Sequence, residues 1–85
     1  MELVTGEQFI KALALLAAGI AMGFGAVGPG IGEGFVAGKA CEAIGKRPDE
    51  QALITKTMII GQAISETTGI YALVVALILI FVVGG

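Results

Sequence analysis

Two glutamates lie far inside apolar stretches of the sequence, where ionisable groups are uncommon. Of the seven acidic residues, Glu33 and Glu66 occupy such positions. A charged group in apolar surroundings is costly, so its presence there indicates a functional site. Counted from the turn near Pro48, the two glutamates differ in height by only about 5 Å at ~1.5 Å per residue. A helical hairpin would bring them together, although Glu33 can also be explained as a neutral side chain that donates one packing hydrogen bond.

Oxygen-bearing side chains crowd around Glu66, and such oxygens suit a hard cation. At helical pitch, Gln62 lies one turn from Glu66 on the same face. A second face, more than about 90° away, holds Ile64, Thr67 and Tyr71. Because these residues lie on different faces of the helix, one chain is not expected to enclose an ion alone. The pattern therefore predicts that a neighbouring copy presents its Thr67 hydroxyl and Ile64 carbonyl to the two glutamates of the first.

Some of these polar side chains also have plainer explanations. The hydroxyls of Thr67 and Thr68 can donate to backbone carbonyls four residues earlier in the helix. Tyr71 can be an ordinary amphipathic aromatic. Gln62 and Ser65 are expected behind the glutamates, in a supporting layer. A ligand role and these alternatives both stay open at this point.

The glutamate pair is expected to carry one net negative charge. Two like charges at this distance are not both retained in a low dielectric, so one proton would be shared. A single Na⁺, or a second proton, would then neutralise the pair. A site that must face lipid requires this neutrality.

Two long apolar segments must position these residues. The chain has 85 residues, of which 56% are hydrophobic and 14% charged, a composition typical of membrane proteins. Residues 58–83 hold one formal charge and residues 12–32 hold none, and each segment reaches the ~20 residues that span a bilayer. The predicted fold is an all-α antiparallel hairpin, with transmembrane helices over about residues 7–44 and 50–83 and a polar loop at 45–49. A cleaved signal peptide is disfavoured, because the amino terminus has no basic region and the apolar block is too long.

The polar loop has helix-ending and helix-starting residues. Gly45 can end the first helix and Pro48 can begin the second. Basic residues gather around this loop, namely Lys39, Lys46, Arg47 and Lys56, against Lys11 alone near the termini. Because the basic side tends to stay cytoplasmic, we expect a cytoplasmic loop and both termini outside, in the inner (plasma) membrane of a bacterium.

Small residues form two flanks on the first helix, about 170° apart at ~100° per residue. One flank holds Gly19, Gly23, Gly30, Gly34 and Gly38. The other holds Ala14, Ala21, Gly25, Gly28 and Gly32. Two opposed flanks allow head-to-tail contacts that close into a homo-oligomeric ring. The alternative is a glycine-rich helix packed inside some larger complex. A bend at Pro29 would also shift the positions of the later residues around the helix axis.

Several function classes are disfavoured. Net charge is −2 with no basic patch, so nothing indicates nucleic-acid binding. No organic cofactor is expected, and Cys41 stands alone, as a small, packed, reduced residue. A pore-forming or structural hairpin would not need two level carboxylates, and a small multidrug exporter would ordinarily need more spans.

These motifs closely resemble the c-subunit of F-type ATP synthases, the proteolipid whose copies form the membrane rotor ring. The family's glycine-rich first helix corresponds to residues 23–38, its polar loop to residues 45–48, and its ion-carrying carboxylate to Glu66. The resemblance implies a non-catalytic, ion-translocating component of the complex. Its implied partners are the a-subunit of the membrane sector, the gamma and epsilon subunits of the central stalk, and membrane lipid. A V-type rotor proteolipid is the nearest alternative and would change the partners but not the chemistry.

Residues 61–71 are similar to the sodium-binding branch of this family. The Na⁺ ligands implied by that similarity are Glu33, Glu66, the Ile64 carbonyl and the Thr67 hydroxyl. Thr68 would help to hold a water, and Tyr71 would steady Glu66.

The sequence departs from the sodium-binding pattern in two places. Glu33 stands where the sodium type usually has Gln, which makes the chain similar to a two-carboxylate variant and keeps H⁺ as the alternative ion. Lys46-Arg47-Pro48 replaces the common Arg-Gln-Pro loop that meets the central stalk, so contacts at this end are expected to differ in detail.

Overall fold

The computed structural model describes residues 3–85 and consists of two long antiparallel helices. Helix α1 spans Gly6–Lys46, and helix α2 spans Gln51–Ile78 and continues as a π-helical segment over Leu79–Val83. A 3₁₀ turn, Pro48–Glu50, joins the two helices. The hairpin measures 67 × 19 × 11 Å. The predicted all-α hairpin is confirmed.

Helix α1 begins at a capping box. The Thr5 hydroxyl accepts from the Gln8 backbone N–H at 3.1 Å, and the Gln8 side chain accepts from the Thr5 N–H at 3.1 Å. This reciprocal pair satisfies two backbone donors that have no partner within the helix. The helix then runs without interruption through Pro29.

Helix α1 ends at Lys46, two residues beyond the predicted residue 44. Gly45 does not stop it, because no described residue adopts a positive φ. The Arg47 N–H still donates to the Ala43 carbonyl at 2.8 Å, and Arg47 has φ −137° and ψ 68°. A residue before proline is excluded from helical geometry by the proline ring, so Pro48 sets the end of the helix.

The interface between α1 and α2 is built from small side chains. Its buried hydrophobic residues are Ala14, Ala18, Ala40 and Ala76. Partly buried residues recur beside them at helical spacing on both helices. Small residues let helices approach closely where burial from water supplies no driving force. The hairpin therefore has a narrow contact stripe and no bulky core.

Large apolar side chains cover the outside of the hairpin. Phe24 is 79% exposed, Ile31 69% and Phe35 66%, and the outer surface of α2 is equally apolar. Both helices are long and apolar enough to cross a membrane, judged by length and composition. Surfaces of this extent indicate contact with lipid or with other chains.

The two small-residue flanks of α1 have different surroundings. A side chain at Gly19, Gly23, Gly30, Gly34 or Gly38 would meet nothing within 4 Å in the chain. On the opposite flank, a Cβ on Gly25 would overlap the Ala72 Cβ, and one on Gly32 would lie 2.6 Å from the Ser65 hydroxyl oxygen. Gly28, on this flank too, is open. The expectation that this whole flank faces a neighbouring copy is therefore wrong for Ala14, Gly25 and Gly32, which the second half of the same chain covers.

Cys41 also departs from expectation within the single chain. It is a free, exposed thiol, not a packed one. The interface residue is its neighbour Ala40, and one step along a helix turns the side chain by ~100°.

Candidate ion-binding site

Glu33 and Glu66 meet across the hairpin interface. Both are partly buried, and Gln62, one turn before Glu66, donates to the Glu33 backbone carbonyl, so the two glutamates lie at the same level. Helical spacing sets this arrangement, since each lies on the contact stripe of its own helix. The pair therefore comes from one chain, as the height count from the turn predicts.

Gly69 makes room for the Glu66 carboxyl. A Cβ on Gly69 would lie 3.0 Å from Glu66 Oε1 and 3.4 Å from Pro29 Cγ. Gly69 and Pro29 are both buried at this level. Neither residue was predicted from the sequence to belong to the site. The three-residue spacing from Glu66 to Gly69, which places both on one helix face, was the available signal.

Gln62 joins the two helices beside the glutamates. Its Nε2 donates to the backbone carbonyl of Glu33 at 3.2 Å, in partly buried surroundings. Ser65 lies on the same side of α2, with its hydroxyl against Gly32. Both side chains thus face α1 beside the carboxylates.

The other predicted ligands lie on the outside of α2. Ile64 is 71% exposed and Tyr71 68%, and Thr67 and Thr68 are exposed as well. The hairpin does not bring these four residues to its own Glu33 and Glu66 pair. They form an outward surface that a second chain can contact.

The Thr67 hydroxyl makes a hydrogen bond within its own helix. It donates to the Ala63 carbonyl at 3.2 Å. A hydroxyl has one proton and two acceptor lone pairs. Donation to the backbone therefore leaves the oxygen free to face a cation, so the backbone bond and a ligand role are compatible.

The predicted donor set consists of oxygens from two carboxyls, one backbone carbonyl and one hydroxyl. Within residues 3–85 there is no group of three His, Cys, Asp or Glu side chains placed to hold a metal ion. Oxygen donors suit a proton or a hard cation better than a transition metal.

The turn carries exposed charges at one end of the molecule. Lys46 pairs with Glu42 at 3.4 Å, and Arg47 pairs with Glu50 at 3.1 Å. These ion pairs are solvent-exposed and add little stability. Pro48 is exposed beside them, so the whole turn is accessible to a partner.

Comparisons with a family model and with known proteins indicate the same family. The family model described as the C-subunit of ATP synthase matches residues 16–79. The ATP synthase c-subunit of Alkaliphilus oremlandii is 54% identical over 81 residues, covering 95% of this chain and 91% of that protein. The c-subunit of Natranaerobius thermophilus is 49% identical over 79 residues, covering 93% and 91%. That of Mesomycoplasma hyopneumoniae (strain 7448) is 56% identical over 79 residues, covering 93% and 77%. A match of this extent, on a hairpin with two apolar helices, means that the chain belongs to the ATP synthase c-subunit family.

Proposed function

We propose that this chain carries Na⁺ in the membrane rotor ring of an F-type ATP synthase, with H⁺ as the alternative ion. The observation that carries the proposal is the position of Glu33 and Glu66 at one level of the hairpin interface, where Gln62 donates to the Glu33 carbonyl. Such a pair, sharing one proton, keeps one net negative charge for a monovalent ion to neutralise.

Each site is completed by the next copy in the ring. The first chain supplies Glu33 and Glu66, and the second supplies the Ile64 carbonyl and the Thr67 hydroxyl. The outward position of these two residues supports this division. Thr68 then helps to hold a water, and Tyr71 steadies Glu66. Ion binding therefore depends on assembly of the ring.

The mechanism follows from the neutrality of the loaded site. An ion enters from the a-subunit, neutralises the glutamate pair, and travels with the ring through lipid before it leaves. The energy available is about 2.3 kcal/mol per charge per 100 mV. The chain itself breaks and forms no covalent bond, and it transmits rotation to the gamma and epsilon subunits of the central stalk.

The orientation of the hairpin in the membrane is inferred from its charged turn. Lys46, Arg47 and Pro48 lie in the cytoplasm and meet the central stalk, and both termini lie outside. Lys39, Lys46 and Arg47 at this end favour the cytoplasmic side. Their exposure supports contact with a partner.

The decisive experiment is labelling of Glu66 by a hydrophobic carbodiimide in the purified oligomer. A protonated carboxyl transfers its proton to the carbodiimide nitrogen and adds through its oxygen to the central carbon, so a bound Na⁺ should slow the reaction at fixed pH. Equal concentrations of K⁺ control for ionic strength, and Glu66→Gln controls for labelling elsewhere. Protection by Na⁺ and not by K⁺ supports Na⁺ as the ion. Equal labelling with both salts would reject Na⁺ and favour H⁺.

A further inference from the structure

One hydrogen bond from a side chain to the backbone crosses the hairpin within the described part of the chain, and it lies beside the glutamates. Gln62 Nε2 donates to the Glu33 backbone carbonyl at 3.2 Å. The other hydrogen bonds that join a side chain to the backbone between residues 3 and 85 stay within four positions in sequence. The helices are thus tied together by a polar contact at the level of the carboxylates.

Apart from the two glutamates, the rest of the interface is built mainly from small residues. It is lined by alanines, together with close approaches at Gly25 and Gly32. Such surfaces permit close backbone contact, but they have few side chains that interlock and define one register. The turn at Arg47 does restrain the helices, yet it lies about 20 Å from Glu33 at ~1.5 Å per residue.

The hydrogen bond made by the Gln62 amide depends on the axial register of α1 against α2. A shift of one residue moves the acceptor carbonyl by ~1.5 Å along the axis and ~100° around it, which breaks a hydrogen bond of ordinary geometry. An amide left unpaired in apolar surroundings is unfavourable. A single polar side chain can set register in this way in packed helices.

We infer that Gln62 is a positioning residue, which holds the Glu33 carboxyl level with Glu66 through the Glu33 backbone carbonyl. Gln62 thereby sets how tightly the pair holds its ion without contacting the ion itself. The inference rests on the proposed role of the pair as the ion site, and it holds for either ion.

The test uses the assembled ring with Gln62→Met, which keeps the length of the side chain and removes its hydrogen bonding. Gln62→Asn keeps the amide but is one methylene shorter. The matched control is Thr57→Val, which removes a hydrogen bond of 2.9 Å from the Thr57 hydroxyl to the Leu53 carbonyl within α2. Carbodiimide labelling of Glu66 is measured against Na⁺ concentration and against pH, and native mass spectrometry reports ring assembly.

We expect both Gln62 variants to assemble and to need roughly 3- to 10-fold more Na⁺ for half protection, the loss expected for one neutral hydrogen bond. Their pH profiles of labelling should also shift, while Thr57→Val matches wild type. Unchanged Na⁺ and pH profiles in both Gln62 variants would overturn the inference. Failure of both to assemble would also overturn it, because Gln62 would then be a general requirement for folding.

The result also separates this inference from the proposed sodium function. If Na⁺ does not protect the wild-type ring, Na⁺ is rejected as the ion, and the pH profile alone decides the role of Gln62. A shift in the Gln62 variants that is absent in Thr57→Val supports positioning. An unchanged pH profile in the Gln62 variants refutes the positioning role.

Discussion

Gly25 and Ala72 face each other across the hairpin so closely that a Cβ on Gly25 would overlap the Ala72 Cβ. The contact joins α1 and α2 of the same chain. The absence of a side chain at residue 25 is thus what allows the helices to approach at this level.

Gly25→Ala is expected to push the two helices apart, because neither Cβ can rotate away. Overpacking of this kind costs about 1–3 kcal/mol. The ring should dissociate at a lower temperature, measured by native mass spectrometry after heating. Adding Ala72→Gly should restore the wild-type temperature. Failure of that second change to rescue the first would mean that Gly25 is limited by a neighbouring chain instead.

Gly30→Leu tests the open flank of α1. A side chain there meets nothing within 4 Å of its Cβ in the same chain. We expect the helical content to be kept and ring assembly to fail or change in size, because close approach between copies is lost. Circular dichroism and native mass spectrometry measure the two properties. Ile31→Leu, at an exposed bulky position, is the matched control. An unchanged ring in Gly30→Leu would contradict a neighbour contact on this flank.

Glu66→Gln is expected to abolish ion-driven ATP synthesis in liposomes. The remaining carboxyl, Glu33, would lack the paired charge that holds the cation against lipid. Glu42→Gln is the matched control, since Glu42 is an exposed carboxylate that pairs with Lys39 and Lys46. Near-normal coupling in Glu66→Gln would remove Glu66 from its proposed role.

Glu33→Gln is expected to keep Na⁺ protection of Glu66 while changing its pH dependence. The amide still offers an oxygen to the ion, but it removes one member of the coupled acid pair. The shared proton of the wild type is then lost. Carbodiimide labelling over a series of pH values measures the effect. In both forms, protection should weaken toward low pH, as protons compete with Na⁺ for the Glu66 carboxylate.

Loss of Na⁺ protection in Glu33→Gln alone would show that an acid is required at position 33. If added Na⁺ does not change the pH profile of Glu66 labelling in either the wild type or Glu33→Gln, the transported ion is H⁺. The two results are distinct, because the first requires protection in the wild type and the second excludes it.

The sequence was sufficient to predict the hairpin and the meeting of its two glutamates. Length and apolar composition determine that each segment can span a bilayer, since a helix rises a constant ~1.5 Å per residue. Helical spacing also places Gln62 and Glu66 on one face and Ile64, Thr67 and Tyr71 on another. The exposure of the second group agrees with this division. These properties depend on the rise and periodicity of each helix and on the position of the turn, which can be read directly from a sequence.

The tertiary structure alone decided which small residues are covered and which are open. Both flanks of α1 are built from small residues, and only the rotation of α1 against α2 covers Gly25 and Gly32 while leaving Gly23 and Gly30 open. It also decided that the Gln62 amide donates to the Glu33 carbonyl, because an amide side chain can reach many acceptors. The relative rotation of two helices depends on contacts summed along their whole interface, and periodicity within either helix does not contain that information.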